Sequence, residues 1–361
     1  MPSTRPGDVC AHTHLYSGLA PLGMPAPQPP PENFVQILER VWWRLDRALD
    51  EPSLRASARL YLAEAALAGT TTVIDHHESP NLIEGSLDIL ADAFEELGLR
   101  GLVCYGATER NDGRDEARRG LAECRRFAQT LAERSRPALL RAAVALHASF
   151  TVSDETVREA AALCAELDLP MHVHVAEDGA DVADAKRRGH EGPLERLLEL
   201  GALPPGSIVA HGVHLSPAQV RAGAAAGLWF VHNPRSNRGN RVGYSASLTA
   251  AEDRVALGTD GYPARMADEL AALRAEAQDH GQDPEAVSGR RARGLELAAS
   301  LWGDEVREDL VTRRADGAVK DVVVAGRRIV QDGRLLTADL EAIRAEAAAQ
   351  AARLWERMEI L

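Results

Sequence analysis

"DVCAHTHLYSG", residues 8–18, places His12 and His14 one residue apart at the end of a short apolar run. In a β-strand, residues i and i+2 project from the same face, so both imidazoles would aim at one point. Convergent imidazoles are half of a divalent-metal site. On a polar, solvent-facing strand they are two ordinary side chains. The positions of the other histidines decide between these readings.

Seven further β-leaning runs follow the first. They are "TTTVIDHH" (70–77), "RGLVCYGATE" (100–109), "LLRAAVALHASF" (139–150), "PMHVHVAE" (170–177), "SIVAHGVHL" (207–215), "LWFVHNP" (228–234) and "RVALGTDG" (254–261). Helical patterns lie between them. One is expected from Pro80 to Gly98, with Leu87, Leu90, Phe94 and Leu97 on one stripe. Another opens at Ser216 and Pro217 and stops near Gly227. This alternation predicts an α/β chain folded as a closed (β/α)8 TIM barrel. An open, doubly wound sheet is the alternative, but the Gly-rich phosphate loop usual after its first strand is missing.

All of the twelve histidines except His190 and His280 fall within, or at the C-terminal end of, one of these runs. Those strand ends form the active-site face of a barrel. Strand parity puts His172 and His174 on one face, with His174 nearer the mouth and Glu177 at the strand exit. The eighth run delivers Asp260 on a tight turn. His12, His14, His174 and Asp260 together make a three-nitrogen, one-oxygen set for one divalent ion, with Zn²⁺ expected and Fe²⁺ the alternative. A structural zinc site would favour cysteine and a closed shell.

His76 and His77 at the second strand end, His147 at the fourth, His232 at the seventh and Tyr16 (with Ser17) beyond the first are expected to line a substrate cavity. The competing reading is a structural hydrogen bond at the barrel mouth. His172 and His214 are expected to orient neighbours, and Asp75 carries no assigned role. In the Pro-rich insertion after the first strand (20–34) and the helix that follows, a lid, a homodimer contact and simple packing of Trp42 and Trp43 all fit.

The 361 residues carry a net charge of −13 and no basic stripe, which argues against a nucleic-acid partner. Cys10, Cys104, Cys124 and Cys164 show no disulfide or CxxC spacing. No secretory leader and no long apolar run is seen, so a cytoplasmic protein without a membrane partner is expected.

"PGDVCAHTH", "HVHVAE", "AHGVHL", "HNPRSN" and "LGTDG", in this order, resemble the strand motifs of the amidohydrolase superfamily, in its cytosine/adenosine deaminase-like and chlorohydrolase-like branch. "WWRLDRAL", "VIDHHESPN", "ALHASFTVSDET" and "HNPRSNRGNRVGY" are most similar to SsnA-type aminohydrolases associated with selenium metabolism. The resemblance implies metal ligands His12, His14, His174 and Asp260. It makes Glu177 the proton shuttle and His211 the group that polarises the reacting centre, and it gives Asp260 a share in proton removal. No lysine stands at the fourth strand end, which favours one metal over two.

The activity implied is hydrolytic deamination of a small cyclic amidine or heterocycle, a hydrolysis of a carbon–nitrogen bond other than a peptide bond, with release of ammonia. The alternatives are an amidohydrolase or chlorohydrolase acting on an amide-like or halogenated ring, and a truncated metal-binding relative with little activity. The expected organisation is a barrel over 6–302, a remnant of a small β-sandwich over 303–338, and a C-terminal helix over 339–361. Relatives carry a longer segment before the first motif. The short lead here implies either a reduced sandwich, with an exposed edge at "VVV" (322–324), or a start assigned too far downstream.

Overall fold

Strands buried on both faces read as nearly continuous apolar runs, and the barrel is built from such runs. A computed structural model describes residues 2–361. Its barrel strands are Asp8–Thr13, Thr70–Asp75, Arg100–Val103 with Gly106–Ala107, Leu140–Ala142 with Val144–Ala148, Met171–Val175, Ile208–His211, Trp229–His232 and Val255–Leu257. All pair in parallel. The third and fourth strands each break in the middle. Their first halves pair in one arc of sheet and their second halves in the other, with Gly101 opposite Leu140 and Gly106 opposite Ala145.

The first and last strands meet through backbone bonds. The amides of Thr259 and Asp260 donate to the His12 carbonyl at 2.9 and 3.0 Å, and the His14 amide donates to the Asp260 carbonyl. This closure brings residues 12–14 and 260 to one place on the C-terminal face.

Helices cover the outside. Glu51–Ala68 opens on a capping box between Asp50 and Ser53 and stops at Gly69 (φ +88°). The helix expected from Pro80 begins at Ser86, because Gly85 (φ +82°) and the turn before it interrupt the pattern, and it runs to Leu97. It lies so close to the sheet that a Cβ on Gly101 would come within 2.7 Å of the Phe94 ring.

The C-terminal β element is a five-stranded antiparallel sheet in the order Ser3–Pro6, Leu310–Arg313, Val319–Val324, Arg327–Gln331, Arg334–Leu335. Here the expectation of an exposed edge at 322–324 fails. That strand is central, Val322 and Val324 are buried, and the N-terminal residues supply the outermost strand. The last helix, Leu340–Glu359, joins this end to the mouth. Arg344 pairs with Glu64, Arg357 bonds to the Ala48 carbonyl and Asp50, and the Trp355 indole donates to the Leu22 carbonyl. No helix among the described residues is long and apolar enough to cross a membrane.

Candidate active site

His12, His14, His174 and Asp260 offer ligand atoms that lie within 4.8 Å of one another, all buried. Each ring is aimed by its second nitrogen. The Nδ1–H of His14 donates to the His76 carbonyl at 2.6 Å, and that of His174 to the His147 carbonyl. Both Nε2 atoms therefore carry lone pairs, and they face each other 3.2 Å apart. His12 meets Nε2 of His172 through its Nδ1 at 2.9 Å, which leaves its own Nε2 buried without a hydrogen-bond partner. Asp260 Oδ1 lies 2.8 Å from His14 Nε2 and 3.4 Å from His12 Nε2, while the Ser236 hydroxyl donates to its other oxygen.

Converging lone pairs with no donor between them repel unless a cation sits among them, so the donor set fits a divalent metal ion. Without the ion, a proton is drawn in. Burial alone would lower the pKa of His14, but the carboxylates of Glu78 and Asp260 raise it well above the ordinary histidine value.

Beside this set, burial pushes the Glu177 carboxyl up to about 7, against the opposing pull of His211. The Asn240 amide donates to Glu177 Oε1 at 3.2 Å. Nε2 of His211 lies 3.6 Å from Glu177 and 3.9 Å from Asp260, and its Nδ1–H donates to Asn237 Oδ1. Ala176, His211 and Asp260 all sit at φ values between +53° and +72°. Non-glycine residues held there store strain, which clusters at functional sites. A model of the amidohydrolase family matches residues 5–291.

The chain belongs to the amidohydrolase family.

It is 30% identical over 268 residues to 8-oxoguanine deaminase of Pseudomonas aeruginosa, a match spanning 71% of this chain and 59% of that one. It is 27% identical over 378 residues to 5'-deoxyadenosine deaminase of Methanopyrus kandleri, covering 94% and 83%. The crystal structure of an adenosine deaminase from Xanthomonas campestris with bound zinc superposes with a TM-score of 0.82 at 25% identity, over 98% of this chain and 86% of the other.

The cavity of this amidohydrolase opens over His14, His174 and Asp260 of the cluster. Tyr16 and His147 line it, as do Phe34, Leu38, Trp42 and Trp43 of the insertion, which lies over the mouth. Three histidines expected at the cavity are not among its lining residues. His76 is held between Glu78 and the Leu146 carbonyl, His77 bonds to Ser79, and His232 meets the buried Arg290 guanidinium at 2.6 Å. All three are fully buried, and the His76 ring packs against the His174 ring with centroids 4.6 Å apart. His172 does back His12, but His214 is exposed because the sixth strand ends at His211.

Two residues escaped sequence reading. Glu78 is buried between His76 (2.7 Å) and His14 (3.3 Å) and is ionised. Burial opposes this, but the two imidazoles hold its pKa well below the carboxylate range. Asp181 lines the cavity from the helix Gly179–Arg187. Neither follows a strand period. An acid in the first turn of a helix also reads as ordinary dipole complementation.

Proposed function

We propose that this amidohydrolase is a metal-dependent aminohydrolase that replaces the bond between a ring carbon and its amino nitrogen, in a small heterocycle or cyclic amidine, by C–O and releases ammonia. The carrying observation is Glu177, a partly buried carboxyl with a pKa near neutrality beside the three-histidine, one-aspartate cluster. His12, His14, His174 and Asp260 would hold one ion, zinc by preference, since the outer nitrogens of His14 and His174 are already bonded to carbonyls. When bound, such an ion supplies Lewis acidity that brings the pKa of a water ligand towards about 7.

The remaining work falls to side chains. The reaction takes up one water: its oxygen forms the new bond to carbon, and its two protons end on the ring nitrogen side and on the departing amine. Glu177 carries these protons, because a carboxyl with a pKa near 7 both accepts and gives at neutral pH. His211, held by Asn237, faces Glu177 and Asp260 and stabilises charge at the reacting carbon. Asp260, anchored by Ser236, can receive the first proton. Tyr16 and His147 are the contacts proposed for substrate. A leaving amine requires a proton and a leaving halide does not, so a proton carrier beside the cluster favours deamination over dehalogenation.

Four buried free thiols support a reducing, cytoplasmic setting. The test is an ammonia-release screen over purines, pyrimidines, pterins and other cyclic amidines with metal-loaded protein. Release from one ring class is expected. Bound metal with no release from any of them would overturn the proposal.

A further inference from the structure

The cavity wall has a charge pattern that the hydrolytic cluster does not need. Its acidic lining residues are Glu177, Asp178, Asp181 and Asp260, and no lysine or arginine is among its lining residues. A bound divalent ion would offset two of these carboxylates and leave the rest facing whatever enters. Aromatic residues supply much of the remaining lining, including Phe34, Trp42, Trp43 and Phe150. Ring faces attract cations and repel anions.

Asp181 separates this pattern from a general excess of acid. It is 3% exposed, and Oδ2 accepts the Ala176 amide at 2.6 Å. Oδ1 is buried with no hydrogen-bond partner, and no ion pair forms at this carboxylate among the described residues. An unsatisfied buried acceptor carries a desolvation cost. A substrate N–H placed against it recovers that cost.

We infer that the cavity selects a flat heterocycle with N–H donors that is cationic or neutral and free of carboxylate or phosphate, with Asp181 accepting one of those donors. This inference rests on the aminohydrolase reading and names the substrate class for the same site. Asp181 binds the ring away from the reacting carbon, while Glu177 and His211 serve the bond that breaks. Burial also raises the Asp181 carboxyl to about 7, so a bound cation would favour its ionised form.

The test uses three probes of one shape and different charge: benzamidinium, benzamide and benzoate. Their binding to metal-loaded protein is measured by calorimetry, without turnover. Benzamidinium is expected to bind at least ten-fold more tightly than benzoate, with benzamide between them. In Asp181→Asn the amide oxygen can still accept the Ala176 N–H, while a donor replaces the free oxygen. The variant should lose about ten-fold in benzamidinium affinity, with benzamide changed less than three-fold and metal content unchanged.

Benzoate binding as tightly as benzamidinium to the wild-type protein would overturn the inference, and that comparison needs no variant. Unchanged benzamidinium affinity in Asp181→Asn would overturn the role of Asp181. The expected charge order without ammonia release from any ring would sink the aminohydrolase reading alone. Ammonia release from carboxylated or phosphorylated rings, with the charge order reversed, would sink this inference alone.

Discussion

The two ends of the barrel treat buried charge in opposite ways. At the end where the first strand begins, Asp8 receives Arg291 at 2.8 and 2.7 Å, and Asp309 receives the buried Arg100 at 2.6 Å and the Ala325 amide at 2.8 Å. Four residues along the same strand, His12 presents a buried nitrogen with no partner. Asp75 and Asp181 each hold a buried oxygen without a hydrogen-bond partner at that end. The left-handed residues Ala176, His211 and Asp260 lie there too, at a cost of about 1–3 kcal/mol each. At Asp8 and Asp309 buried charge is satisfied by the chain itself, while at the other end it is left to be completed by something that binds. This is the division between stability and chemistry expected of the two barrel faces.

The comparison can be sharpened by changing one end at a time. The largest effect is expected at Glu177. Glu177→Gln should lower kcat by about 10²–10⁴-fold, the usual contribution of general acid–base catalysis, while bound metal measured by atomic spectroscopy stays at the wild-type level. Loss of metal in that variant would make Glu177 a ligand instead.

At the closed end, Asp309→Ala removes the buried carboxylate from Arg100 and leaves only the exposed Glu305 and the Ala138 carbonyl as partners. It should cost about 3–5 kcal/mol in denaturant unfolding, as breaking a buried pair does, with turnover per folded molecule unchanged. A comparable loss of turnover would break the division between the ends.

The smallest effect concerns pH. Burial lowers His77 from the ordinary histidine value to about 3, so the unfolded chain binds a proton there that the folded chain refuses. The stability it contributes is complete above about 6.5 and is lost as pH falls toward 3. At pH 5 the loss should be about 1–2 kcal/mol. His77→Asn should flatten the fall in thermal midpoint between pH 7 and pH 5 relative to wild type. An equal slope in both proteins would remove His77 from the account.

Much of the open end was legible in the sequence because two periodicities coincide there. Alternation along strands sends His12 with His14 and His172 with His174 to common faces, and the barrel gathers strand ends in one ring. Glu78 and Asp181 were not legible. Each lies beyond its strand, and only the fold reveals that Glu78 is buried between two imidazoles and that Asp181 keeps a buried oxygen unpaired. His232 reads like the other strand-end histidines, yet Arg290, 58 residues later, claims it. Ser3–Pro6 is a strand only because Leu310–Arg313 lies beside it, a pairing across almost the whole chain that no local pattern announces.

The central claim is that the open end is completed by a metal ion that makes water reactive toward a C–N bond. It is tested most directly by chelating the protein to the apo form, titrating zinc back, and following ammonia release from the best substrate of the screen. The account predicts that release disappears on chelation and returns in proportion to zinc, saturating at one equivalent per chain. Ammonia release that survives complete metal removal would contradict it.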